Sequence, residues 1–221
     1  MSISLHADRQ APALVDGARL EWLQSPEPGV ERRMLERSGD EVALATTLVK
    51  YGPASRFPRH SHAQGEEFLV LEGTFSDEDG DYPAGTYVRN PPGSSHAPFS
   101  REGCVILVKL RQMTSRESER VRVFAGDRHW TAGSDPGVER AVLYANRDTS
   151  VELMRLAAGA ELSARRIAGG EEWFVVEGEV SIRREARARL GKWTWSRDAS
   201  ARQPAIGSAT GALLWIKRGH L

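Results

Sequence analysis

The sequence predicts two tandem all-β domains of the barrel or sandwich kind. Three observations support this. The apolar runs are short and rich in Val, Leu, Thr and aromatic residues, Gly- and Pro-rich segments punctuate them, and one stretch of chain recurs at domain-length spacing. No stretch sustains an apolar stripe at helical spacing for three turns, so helices are not expected to build the core.

The repeat comes first along the chain. Trp22 to Leu35 (WLQSPEPGVERRML) returns as Trp130 to Leu143 (WTAGSDPGVERAVL), with PGVER identical in both copies and an offset of 108 residues. That offset is far longer than a solenoid repeat and matches a complete small domain, so duplication is the reading. GEEFLVLEG (65 to 73) matches GEEWFVVEG (170 to 178), and ILVKLR is echoed by LLWIKR. Within the first copy, VALATTLVKY, EEFLVLEG, TYVRN and CVILVKL read as strands, beginning near residue 42, with EDGDYPAG and NPPGSS as turns. Apolar residues on both faces of 68 to 71 fit a strand covered on both sides, as in a double-sheet jelly roll. QMTSRESER is polar and aperiodic and reads as the connection, which places the domains at 1–112 and 113–221.

Composition narrows the class. Lys plus Arg equals Asp plus Glu at 30 each, so no net field draws nucleic acid or an anionic membrane, and neither partner is expected. Cys104 is the only cysteine, which excludes an internal disulfide and a Cys-rich zinc module; within CVILVKL it reads as a small buried hydrophobe rather than a redox thiol. The start, MSISLHADRQ, lacks the pattern of a signal peptide, and no run of eighteen apolar residues occurs. A soluble cytoplasmic protein is expected.

Chemistry concentrates in RHSHAQGEEFLVLEG. His60 and His62 are two apart, and the period of an extended strand sends both rings to one face. Ala63 to Gly65 allow a turn, and Glu66 then leads a strand on which it shares a face with Phe68 and Val70, while Glu67 points the other way. Glu66 is the expected ligand and Glu67 the alternative. Thirty residues on, NPPGSS delivers His96. Three imidazoles and a carboxylate suit one divalent transition metal and leave one or two positions open; zinc is the first expectation, with Fe, Ni, Mn or Cu compatible with the same donors. Glu72, Asp77, Glu78, Asp79 and Asp81 cluster at a hairpin tip and read as a solvated turn.

These residues resemble the two cupin motifs. His60, His62, Glu66 and Gly73 fit G(X)5HXH(X)3-4E(X)6G, and Gly85, Pro91, Gly93 and His96 fit G(X)5PXG(X)2H(X)3N. Gly52 lies too far ahead of His60 for the first glycine and Ser100 replaces the closing Asn; neither is a ligand. Residues 40 to 113 more narrowly resemble the cupin half of ChrR-type anti-sigma factors, and the second copy resembles it more faintly. The resemblance implies tandem cupin domains, or a bicupin, and a metal-bound sensor half in a response to singlet oxygen or organic peroxide. Members of that family also carry an amino-terminal helical zinc domain that grips the sigma factor. With one cysteine and strands from near residue 42, this chain is not expected to form that clamp.

Aligning the copies puts Arg165, Ile167 and Glu171 in the places of His60, His62 and Glu66, with Pro204 near that of His96. The second domain is therefore expected to hold no metal. Trp173, Trp195 and Trp215 replace Phe68, Tyr87 and Leu107, and with an Arg165 to Glu171 pair they are expected to fill the vacated barrel; the rival reading makes them an organic-ligand cage. Function divides between a regulator with a protein partner, an Fe(II) dioxygenase acting on a small dicarbonyl or hydroxyaryl ketone, and a metal-stiffened scaffold. Enzymatic activity is left open, and a small-molecule ligand and a homo-oligomer are both compatible with the sequence.

Overall fold

The computed structural model describes residues 3–40, 42–182 and 189–221. Its regular structure is antiparallel strand throughout, apart from one 3-10 turn at Ala125–Asp127. No helix among the described residues is long and apolar enough to cross a membrane.

The first unit comprises residues up to Ala7 together with Leu20–Asp127. Its main sheet runs in the order Ser4–Leu5, Val30–Ser38, Leu44–Tyr51, Cys104–Leu110, Glu66–Asp77, Tyr87–Asn90 and Val121–Val123. Short ribbons close the other side of the jelly roll, among them His60–His62 paired with Ser94–His96 and Ser55–Arg56 paired with Phe99–Ser100. Strands begin well before residue 42, because the repeated WLQSPEPGVERRML is itself a hairpin that pairs Leu23 with Arg32 around a turn at Gly29. The second unit repeats this order with Val138–Ala145, Ser150–Leu156, Ala212–Arg218, Glu171–Ile182 and Thr194–Asp198.

The compact units interleave short segments on either side of the expected 112/113 boundary, and strand pairing is the reason. Val121–Val123 pairs with Tyr87–Arg89, so the first unit extends through the connecting segment to Asp127. Arg89 also binds Glu117, and Met113 is buried against Gly65. The equivalent edge in the second unit is supplied by the amino-terminal segment: Ala13–Asp16 pairs with Thr194–Arg197, and Asp8–Arg19 belongs to that unit.

Bulges decide which side chains face each core. Glu66, Phe68 and Val70 alternate inward until the register shifts opposite Val105 and Ile106, after which Phe75 shares their face. The same shift occurs between Val175 and Glu177. Gly73 and Gly178 follow these shifts at positive φ, where an added Cβ would lie 2.1 and 2.2 Å from the carbonyl oxygens of Gly103 and Gly211. Only glycine fits that approach. Cys104 is buried in the first core, and burial pushes its thiol up to about 11, as befits a small hydrophobe.

Removing residues 1–19 should strip the strand that covers Thr194–Asp198 and the carbonyls of Asp8 and Ala11 that accept from the buried Arg197. The expected cost to the second unit is on the order of 2–4 kcal/mol from lost hydrogen bonds alone. Tryptophan-monitored denaturant unfolding reads it; an unchanged midpoint would contradict this strand assignment.

Candidate metal centre

Cross-strand pairing assembles the site. His60 and His62 alternate to one face of their short strand, and the antiparallel register sets His96 directly across from His60. The turn after His62 is closed by the Gly65 amide donating to the His62 carbonyl, and Gly65 sits at positive φ with no room for a Cβ beside Met113. The Gly93 amide donates to the same carbonyl, tying the loop that carries His96 to the strand that carries His62. Glu66 then starts the long strand, buried and facing inward.

The donor atoms converge. His62 Nε2 and His96 Nε2 lie 3.0 Å apart, and each is 3.5 Å from Glu66 Oε2. One nitrogen from each of His60, His62 and His96 lies within 4.8 Å of the others. Adjacent donors about 2.0–2.2 Å from one ion lie roughly 2.8–3.6 Å apart, from octahedral to tetrahedral angles, so the inner three stand at coordination spacing. Outer partners aim the rings. His60 Nδ1 is 2.8 Å from the Pro58 carbonyl, His96 Nδ1 is 3.2 Å from Asp77 Oδ2, and Asn90 Nδ2 donates to Glu66 Oε2 at 3.1 Å. With Nδ1 engaged, each of the first two rings offers Nε2 inward as a lone pair. The residues therefore fit a divalent metal by donor type, spacing and second-layer support.

Electrostatics separate the two buried rings. Burial disfavours a proton on His62 and lowers its pKa against the pull of Glu66. For His96 burial is outweighed by the Asp77 hydrogen bond and by Glu66, and its pKa is raised. Asp77 is held below the usual carboxylate range because hydrogen bonds from His96, the Asp79 amide and Tyr82 overcome its own burial.

Asp77 is thus not the solvated turn residue that its acidic neighbours suggest. The bulge before Gly73 switches the alternation, so Asp77 arrives on the inner face with Phe75, buried, instead of at the tip. Glu67 stays out of the site: it faces the opposite layer, where Tyr87 Oη donates to it at 2.7 Å and Arg89 at 3.0 Å. Asn90 carries no motif weight, but its place opposite Glu66 follows once Tyr87–Asn90 pairs with the long strand.

In the second unit the equivalent place holds guanidinium groups. Arg165 Nε donates to Glu171 Oε2 at 3.0 Å and its Nη1 to the Pro204 carbonyl at 3.3 Å; Arg218 Nε donates to the same carboxylate oxygen at 2.8 Å and its Nη1 to Glu152 at 2.8 Å. The Arg165 to Glu171 pair is present as expected. The tryptophans divide differently from the expectation. Trp173 faces the barrel core, whereas Trp195 and Trp215 both register against Phe174 on the opposite face, and Trp195 Nε1 donates to Glu172 at 2.7 Å. Alternation along the strand turns them away from the place equivalent to the histidine site, and Trp173 borders a cavity of about 390 Å³.

Fold and site together define a cupin: two jelly rolls in one chain, with a three-histidine, one-glutamate group in the first. The family profile described as "ChrR Cupin-like domain" matches residues 10–114 and again 118–221, and the chain belongs to that family. No relative among the curated proteins matches it. Among solved structures, a candidate dioxygenase from Nostoc punctiforme is similar at TM-score 0.77 and 15% identity, over 97% of this chain and 84% of that one. Protein Ylba from E. coli gives 0.76 and 14%, over 100% and 94%. Oxalate decarboxylase from Lactobacillus farciminis, solved as a formate complex, gives 0.67 and 11%, over 95% and 86%. At these identities the likeness is one of fold, and the fold is a bicupin.

Two substitutions probe the paired sites. Asp77→Asn should weaken divalent-metal affinity about 10- to 100-fold by releasing the His96 ring, with little change in far-UV circular dichroism; undiminished affinity in a metal titration would dismiss Asp77 as its anchor. Arg165→Ala should destabilise the second unit by about 3–5 kcal/mol, since Glu171 loses a buried partner. Chemical denaturation reads this, and a shift under 1 kcal/mol would show that Arg218 alone suffices.

Proposed function

We propose that the first unit binds one divalent transition metal through His60, His62, Glu66 and His96, and that the protein uses this centre as a regulatory sensor of oxidant or small molecule. The observation that carries the metal reading is the convergence of three imidazoles and one buried carboxylate, with His60, His96 and Glu66 each steered by an outer partner. Support for a regulatory role comes from the ChrR cupin-like profile, which covers both halves of the chain. Zinc is the metal that suits a sensor without turnover, and three nitrogens with one carboxylate also accommodate Fe, Ni or Mn.

A second reading is favoured by one specific feature. A cavity of about 240 Å³ reaches His60, His62 and Glu66 and is otherwise walled largely by apolar side chains, which is how a site that admits an organic molecule is built. A redox-active ion such as Fe(II) would there supply reaction of a dicarbonyl or hydroxyaryl ketone with dioxygen. The protein's share of that chemistry is orientation: Asn90 fixes the Glu66 carboxylate and Asp77 fixes the His96 ring.

Elemental analysis of protein purified without added metal should find one transition-metal ion per chain, lost in the His60→Ala, His62→Ala double variant. Two ions per chain, or full occupancy in the double variant, would refute the assignment. Zinc with no oxygen uptake across dicarbonyl substrates would sustain the sensor, whereas iron with His96-dependent uptake would replace it by the dioxygenase.

A further inference from the structure

The cavity in the first barrel carries more polar character than its apolar walls require. On Leu44–Tyr51 the residues that line it are Thr47, Val49 and Tyr51, in strict alternation, with Val108 and Ile106 paired across the sheet from Thr47 and Val49. Thr47 is 3% exposed, and its hydroxyl has no hydrogen-bond partner among the described residues. A buried hydroxyl in such a wall is costly unless the cavity itself supplies the partner. Tyr51 is held as the neutral phenol, since burial and then Glu66 oppose its ionisation.

A bulge supplies the charge. On Val30–Ser38 the register shifts between Met34 and Glu36. Glu36 therefore turns outward to accept from Thr46 at 3.0 Å, and Arg37 turns inward, buried, donating to the Asp40 carbonyl and lining the cavity. Arg37 pairs with Ala45, Ala45 with Leu110 and Leu110 with Glu66, so guanidinium and carboxylate lie in one transverse row of the sheet. Arg37 lines the cavity from one side and Glu66 from the other, so a guanidinium stands within reach of an anion held there.

The second copy lacks this arrangement. By the same registers Ala145 stands where Arg37 does, Glu152 where Thr47 does and Arg218 where Leu110 does, and Arg218 is bound to Glu152 and Glu171. The inward guanidinium and the buried hydroxyl belong to the copy with the three histidines.

We propose that this cavity binds a small organic monocarboxylate, with its carboxylate on Arg37, an oxygen on the Thr47 hydroxyl and its apolar body along Val49, Ile106 and Val108. The volume, equal to about eight waters at roughly 30 Å³ each, suits a compound of about ten non-hydrogen atoms. The proposal rests on the metal reading above only in that the bound molecule ends beside those ligands; Arg37 and Thr47 are not among them, and both act as specificity residues.

Isothermal titration of the full chain with 4-methyl-2-oxopentanoate and with its uncharged methyl ester tests it, after metal content has been measured on the same sample. Saturable binding of the carboxylate, at least tenfold tighter than the ester, is expected. Thr47→Val should weaken it about fivefold with metal content unchanged and with a ligand-free melting temperature no lower than that of the parent, an outcome that a merely structural threonine would not give. Arg37→Met should abolish the preference for the anion, and Arg37→Lys, which keeps the charge, should restore part of it if the Met variant folds poorly. Absence of metal would refute the proposed function while leaving the carboxylate titration as an independent measurement. Metal bound in full, with equal affinity for acid and ester or with affinity untouched by Thr47→Val and Arg37→Lys, would overturn the carboxylate site.

Discussion

A carboxylate buried at the head of the longest strand needs a cation beside it, and each barrel is organised around meeting that need. Glu66 and Glu171 occupy equivalent places, both almost wholly removed from water. An uncompensated carboxylate there would cost several kcal/mol or take up a proton. In the second unit the compensation is covalent to the chain: Arg165 and Arg218 grip Glu171 from two strands. In the first, those places belong to His60 and to the apolar Leu110, and the groups nearest Glu66 are imidazoles whose charge is discouraged by burial at His62. At His62 a ring whose charge burial opposes stands beside an anion, which is a poor solution for a protein alone and a good one for a protein with a metal ion.

The neighbouring carboxylate shows that burial of acid is not by itself a sign of metal. Glu67 and Glu172 lie on the opposite face of the same strands, and both are satisfied within the protein, Glu67 by Tyr87 and Arg89, Glu172 by Trp195 with His220 at 3.0 Å. Alternation therefore sorts two adjacent acids into different environments in each copy. The tyrosine-to-tryptophan change between copies preserves a donor to the carboxylate on that face and has no bearing on the vacated centre.

The convergence of these four side chains was legible because it depends on local rules. A strand period of two, a glycine turn and a Pro-Gly loop place His60, His62, Glu66 and His96 without knowledge of the rest of the molecule, and the duplicated PGVER segment exposes the two units. What stayed hidden depends on register. Asp77 and Arg37 each lie beyond a bulge, and one extra residue inverts the face on which every later side chain falls. The edge strands stayed hidden for a related reason: Ala13–Asp16 and Val121–Val123 are short, their partners lie elsewhere in the chain, and nothing in their own composition names those partners.

The two copies also solve the problem of barrel volume in opposite ways. The first leaves the Thr47 hydroxyl without a partner among the described residues and keeps open space beside Glu66, both of which cost stability. The second spends its equivalent positions on Glu152 and Arg218, whose ion pairs occupy the space and hold neighbouring strands together. Such a closed network resists stepwise return to a metal site. Introducing one histidine at Arg165 would leave Glu171 on Arg218 alone and would add an imidazole with neither Ile167 nor Pro204 able to join it as a ligand, so each single step loses an ion pair before any donor set exists. One barrel is thus held by charges within the chain, and the other keeps open volume beside a group of side chains that could hold a cation.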